Sequence, residues 1–108
     1  MRPRTVLVTL FDGVEALDVT GPLGVLASAN AWLAATTPGQ TAYRIASASP
    51  GGVPVDGLSG VTLGADGDLA AAAAPHTLIV PGGTRSSCDE TRAALGRTGT
   101  ARPANARG

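Results

Sequence analysis

The chain has no lysine, one cysteine, one histidine and three aromatic residues in 108 positions. Each scarcity excludes something. Cys88, alone, forms no internal disulfide, and a single thiol fits the reducing cytoplasm where the chain is expected to reside. One histidine and one cysteine provide no metal-ligand set, and no cofactor is expected. Charge of one sign is also lacking: eight arginines balance eight acidic residues. No electrostatic argument therefore favours nucleic acid or an anionic membrane, and contact with neither is expected. The first apolar run starts at Thr5 and is broken by Asp12, too short to span a bilayer and without a small-residue cleavage site.

What is abundant is small. Alanine supplies 20 residues and glycine 15. A buried alanine contributes little beside the roughly 1.5–3 kcal/mol of a buried leucine, valine or phenylalanine. A chain of this length is one domain or a piece of one, with a thin core. The all-arginine basic set, with the alanine and glycine load, suggests a GC-rich coding sequence rather than a selected arginine surface. The charge balance hides an asymmetry. Residues 1–83 carry three arginines against six acids, and residues 84–108 carry five arginines against two.

Residues 5–11 are apolar or β-branched on both faces, as a buried parallel strand requires. From Pro22 a period near 3.6 predicts a helix with Pro22 at its first position. Val25, Leu26, Ala29, Trp32 and Leu33 share its stripe, and Thr37-Pro38-Gly39 stops it. Tyr43 to Ser49 reads as a second strand. Val53–Asp56 and Val61–Leu63 read as a small hairpin, since Pro54 is barred from a central strand. Asp68 is placed to cap a short alanine helix over 69–74, and residues 77–80 form a buried strand ending in Pro81-Gly82-Gly83. This order predicts parallel strands joined by crossovers, hence an open α/β sheet. An acidic residue, Asp18, then lies between the first strand and the first helix, where such sheets bind ligands.

The string Phe11-Asp-Gly-Val-Glu-Ala-Leu-Asp-Val-Thr-Gly-Pro22, taken with Pro81-Gly82-Gly83, resembles the PfpI-type superfamily, whose sheet is that of class I glutamine amidotransferases. It is most similar to the N-terminal ligand-sensing domain of GlxA-like AraC-type transcription regulators. The Tyr43-Arg-Ile45 strand, the glycine-rich hairpin and Thr77-Leu-Ile-Val-Pro-Gly-Gly83 follow in the matching order. The resemblance runs from about Val6 to Gly83. It implies a flavodoxin-like open parallel sheet, of which residues 1–83 are the N-terminal part, and it allows a small-molecule ligand and a dimer. It also implies two site elements. The acid matching Asp18 can hydrogen-bond a cysteine nucleophile and relay a proton. The glycines matching Gly82 and Gly83 present backbone N–H groups toward the reacting centre. Plainer readings stand beside these: Asp18 as a capping or dipole residue, and Pro81–Gly83 as a turn.

The departure from the pattern concerns the nucleophile. In that family a cysteine sits on a strand-to-helix elbow a few tens of residues past Pro-Gly-Gly, and nothing here matches it. Cys88 has no apolar strand before it, so nothing in its setting favours the reactive thiolate. His76 is expected at the surface. Glu15 reads as a solvated charge near a helix start or a weak ligand contact. Residues 84–108 form an Arg/Ala/Gly-rich tail of disordered composition or shifted reading frame. The expectation is a truncated sensing domain without its own catalysis or DNA binding, no active catalytic residue, and Asp18, Gly82 and Gly83 as its ligand-facing positions. The alternative is a fragment of a superfamily enzyme, an amidase, isocyanide hydratase or glyoxalase-like protein.

Overall fold

A computed structural model describes residues 2–83 of the chain. Cys88 and the tail over 84–108 lie outside the described residues. The sheet begins with β1 (Arg4–Thr9), whose residues Val6 to Thr9 are all buried. Burial on both faces explains the uninterrupted apolar and β-branched run. β2 (Tyr43–Ser49) pairs parallel with it over six residues. The predicted bounds of β2 are those observed. β6 (Thr77–Ile79) pairs parallel on the other side of β1. A two-residue strand, β5 (Gly67–Asp68), extends the far edge of β2 and was not anticipated. The order β5-β2-β1-β6 is an open, wholly parallel sheet, the α/β class the alternation of elements implied. The predicted hairpin is present as β3 (Val55–Asp56) and β4 (Thr62–Leu63), an antiparallel pair outside the main sheet.

The helix α1 runs from Ala16 to Thr36, so its predicted start at Pro22 is wrong by six residues. Pro22 stands inside the helix. Its ring supplies no N–H, so the carbonyl of Asp18, four residues earlier, has no helical donor there. The start is set instead by Glu15, whose Oε1 accepts the N–H of Leu17, and by the favourable placement of Asp18 in the first turn. The end is as expected, with Thr37 capping and Gly39 at φ 87°.

The predicted stripe also divides. Leu26, Ala29 and Leu33 are half-buried, whereas Val25 and Trp32 are 70% and 68% exposed. The inner face is Val19, Leu23, Leu26, Asn30 and Leu33, an i, i+4, i+7 series. Leu17, 71% exposed, joins Val25 and Trp32 on the outside. Asn30 ties the helix to the sheet: its Nδ2 donates to the Tyr43 carbonyl and its Oδ1 accepts the Tyr43 N–H, both at 2.9 Å.

The core lies on both sides of the sheet. Val8, Leu10, Phe11, Val14, Val19 and Val55 cluster together, with Leu23 and Ile79 packed against them. Leu7, Ala48, Leu69 and Leu78 form the second cluster, under the chain that returns to β6. Consecutive strand residues point to opposite faces, so Leu7 and Val8 serve different clusters. The alanine helix expected over 69–74 is only a 3₁₀ turn, Leu69–Ala71, capped by Asp68 as expected. Leu69 is fully buried and anchors that turn, while the alanines after it have little apolar surface with which to hold a longer helix. No helix among the described residues is long and apolar enough to cross a membrane.

Candidate functional site

The strand order fixes where a site can form. From β1 the chain crosses through α1 to β2 on one side; from β5 it returns to β6 on the other side of β1. The strand order thus changes direction at β1, and the carboxyl ends of β1 and β6 border the kind of crevice where open α/β sheets bind ligands. Three segments meet there: the loop over 10–15, the first turn of α1, and Pro81–Gly83.

Asp18 sits in that first helical turn rather than before the helix. Its Oδ2 accepts the Gly82 N–H at 3.1 Å. The Gly82 carbonyl in turn accepts the Glu15 N–H at 2.7 Å, and Val14 bridges to Gly83 in antiparallel fashion. Both peptide groups of Gly82 are therefore held by the N-terminus of α1. The resemblance implied a Gly82 N–H facing a reacting centre; here that N–H is donated to the Asp18 carboxylate. Asp18 remains exposed, and among the described residues no donor reaches its Oδ1.

The glycines are needed for different reasons. A Cβ on Gly83 would lie 2.6 Å from the Gly13 carbonyl oxygen and 2.7 Å from Cε2 of Phe11. Neither can yield, because one is backbone and the other a fully buried ring. A Cβ on Gly82 would meet only Asp18 Oδ2, at 2.9 Å, the movable end of a side chain. Pro81-Gly-Gly is thus a packing requirement at Gly83 and a close approach to a carboxylate at Gly82.

The hairpin forms one wall, which the sequence reading missed. Gly13, at φ 89°, donates to the Asp56 carbonyl at 2.8 Å. Asp12 Oδ1 accepts the Asp56 N–H at 3.0 Å, and the Val14 carbonyl accepts the Leu58 N–H at 2.8 Å. Glycine at 13 permits the left-handed turn, and an aspartate beside it can bond outward to a neighbouring backbone. That Asp-Gly signal was legible; its partner strand was not. The rim therefore carries the carboxylates of Asp12, Glu15, Asp18 and Asp56 and no basic side chain from residues 5–43 or 45–83. His76 stands elsewhere, exposed, at the opposite end of the sheet. Two cavities, of about 580 and 420 Å³, are lined by neither Asp18 nor Pro81–Gly83. Among the described residues the corner is an open crevice.

Comparison with known proteins agrees with this architecture. The DJ-1/PfpI family profile matches residues 4–98, and the chain belongs to that family. A curated relative, the uncharacterised protein in the cpoL 5′ region of Streptomyces lividans, is 41% identical over 81 residues, 75% of this chain and 52% of that protein. Oxidised DJ-1 from Toxoplasma gondii is 22% identical, with a TM-score of 0.67 over 85% of this chain and 46% of its own. An AraC family transcriptional regulator from Pseudomonas putida is 23% identical, with a TM-score of 0.57 over 77% of this chain and 49% of its own. The chain spans about half the length of each. At such identities the two structures speak for the flavodoxin-like fold.

Proposed function

We propose that the chain is the N-terminal part of a small-molecule-sensing domain of the kind found in AraC-type regulators, binding its ligand at Asp18 without turning it over. The observation that carries this reading is the state of the Asp18 carboxylate. One oxygen is fixed by the Gly82 N–H, which orients the group at the switch point of the sheet. The other is left to accept from a ligand. A carboxylate with one oxygen anchored in this way is an acceptor for amide, amine or hydroxyl donors, and the acidic rim favours ligands that are neutral or cationic. The likeness to the Pseudomonas putida regulator supports the sensing role, as does a Cys88 whose sequence setting lacks the elbow pattern of a nucleophile.

The test pairs binding with turnover on the full chain. Primary amides such as glutamine, together with methylglyoxal and an aryl isocyanide, are titrated while the Gly82 amide resonance is followed. The reading expects donor-bearing compounds to perturb Gly82, the effect to be lost in Asp18→Ala, and no amidase, hydratase or glyoxalase product to form. Turnover that disappears in Cys88→Ser would instead establish an enzyme. Perturbation unaffected by Asp18→Ala would move the site elsewhere.

A further inference from the structure

The end of the sheet opposite Asp18 carries the reverse charge. A cavity of about 580 Å³ opens at the amino ends of the strands, lined by Arg2, Pro3, Arg4, Arg44 and His76. These are all three arginines of positions 1–83 together with the only histidine, and among the described residues no carboxylate lines the cavity to neutralise them.

The register explains how they meet. Thr5 of β1 pairs with Arg44 of β2. On its other side Thr5 accepts the His76 N–H through its carbonyl, at 3.0 Å, one residue before β6 begins. Arg44, Thr5 and His76 thus stand at one level across three neighbouring chain segments. Arg4, one residue before Thr5, faces the other side of the sheet by strand alternation, so the rim is bracketed from both faces. The His76 ring is fixed as well. Its Nδ1 accepts the Thr5 N–H at 3.0 Å and lies 2.9 Å from Thr5 Oγ1. With Nδ1 held as an acceptor, the neutral ring carries its proton on Nε2, which leaves a donor for another group.

We propose that this rim binds a phosphate-type oxyanion carried by a small molecule, with Arg44 and His76 as its principal donors and Arg2 and Arg4 as further cations. A guanidinium matches such an anion with two parallel N–H bonds, and an imidazole Nε2–H adds a third. The volume accommodates a phosphorylated metabolite as well as the bare anion. Residues 1–83 carry six acids against the three arginines. That excess favours a small anion seated in the cavity over a long polyanion lying along the surface. The site is at the opposite end of the strands from Asp18 and is independent of the function proposed above.

The test is a titration of the full chain with sodium pyrophosphate at constant ionic strength, followed by 1H–15N NMR. Inorganic phosphate and a short single-stranded DNA serve as parallel probes. Saturable shifts are expected at Thr5, Arg44 and His76. Arg44→Ala should weaken pyrophosphate binding by at least about tenfold, as loss of a bidentate charge-assisted contact implies. Arg44→Lys, which keeps the charge without the fork, should weaken it less. Arg44 is exposed, so these variants retain the fold. Shifts spread over every arginine without saturation, or affinity unmoved by Arg44→Ala, would overturn the proposal. So would DNA binding more tightly than pyrophosphate at the same rim.

Discussion

Gly83 and Gly82 are neighbours with the same side chain and unequal constraints. A methyl group at Gly83 is driven into a backbone oxygen and a buried aromatic ring, whereas one at Gly82 meets a carboxylate that can rotate. Overpacking of the first kind costs about 1–3 kcal/mol. Chemical denaturation should therefore find Gly83→Ala destabilised by that amount and Gly82→Ala by clearly less. Equal losses would mean that the Asp18 side chain is as unyielding as backbone. Asn30 makes a second residue-scale case. Its amide replaces a strand partner for Tyr43, donating and accepting at once. Asn30→Ala leaves both Tyr43 groups short of a partner and should cost about 1–3 kcal/mol. Asn30→Asp, which keeps only the acceptor, should also destabilise. A neutral Asn30→Ala would show that water serves equally well.

At the scale of elements, α1 explains both what the sequence disclosed and what it concealed. The strands were legible because β1 and β2 alternate or run apolar between strong breakers, and the hairpin because glycine and proline flank it. The helix was misjudged at its start because proline is favoured at a first helical position, and that preference outweighed the weaker signal of Glu15 with Asp18. Its inner face was misassigned for another reason. Residues 19–43 contain no charge at all, so no polar face contrasts with the apolar one and periodicity alone cannot choose. Only Asn30, which needed Tyr43 to be understood, marks the inside. β5 was invisible because Gly67-Asp68 has no strand propensity and is held by pairing with Ala48 and Ser49. The position of Pro22 yields a prediction. Alanine there restores a donor to the Asp18 carbonyl, and interior proline costs a helix up to about 3 kcal/mol relative to alanine. Pro22→Ala should raise the thermal midpoint. A lower midpoint would show that the proline is needed to set the direction of the first turn.

Across the whole molecule, one sheet separates two unlike ends. Among the described residues, carboxylates collect where α1 and β6 meet, and the arginines collect at the opposite rim. The candidate site was partly legible: the resemblance pointed to Asp18, Gly82 and Gly83, and the fold brings these three to one corner. What could not be read was that Gly82 bonds to Asp18 itself, since residues 64 apart are joined only by the sheet order. Both faces of the sheet are required to hold that arrangement. Leu69 and Phe11 are almost fully buried in different clusters. Leu69→Ala and Phe11→Ala should each cost several kcal/mol, about 2–5 for such truncations. Either is a large fraction of the total stability of a typical folded domain. If Leu69→Ala proves harmless, the second cluster is not a core.

The amide proton of Gly82 reports on the central claim most directly, because the whole site depends on its bond to Asp18. Its NMR resonance is measured in the full chain and in Asp18→Asn and Asp18→Ala. The account predicts a downfield Gly82 signal that survives in Asp18→Asn, whose side-chain oxygen still accepts, and moves upfield in Asp18→Ala while the strand signals of β1 and β2 stay in place. A Gly82 resonance unchanged by Asp18→Ala would contradict it, because the carboxylate would then not be the partner that closes the corner.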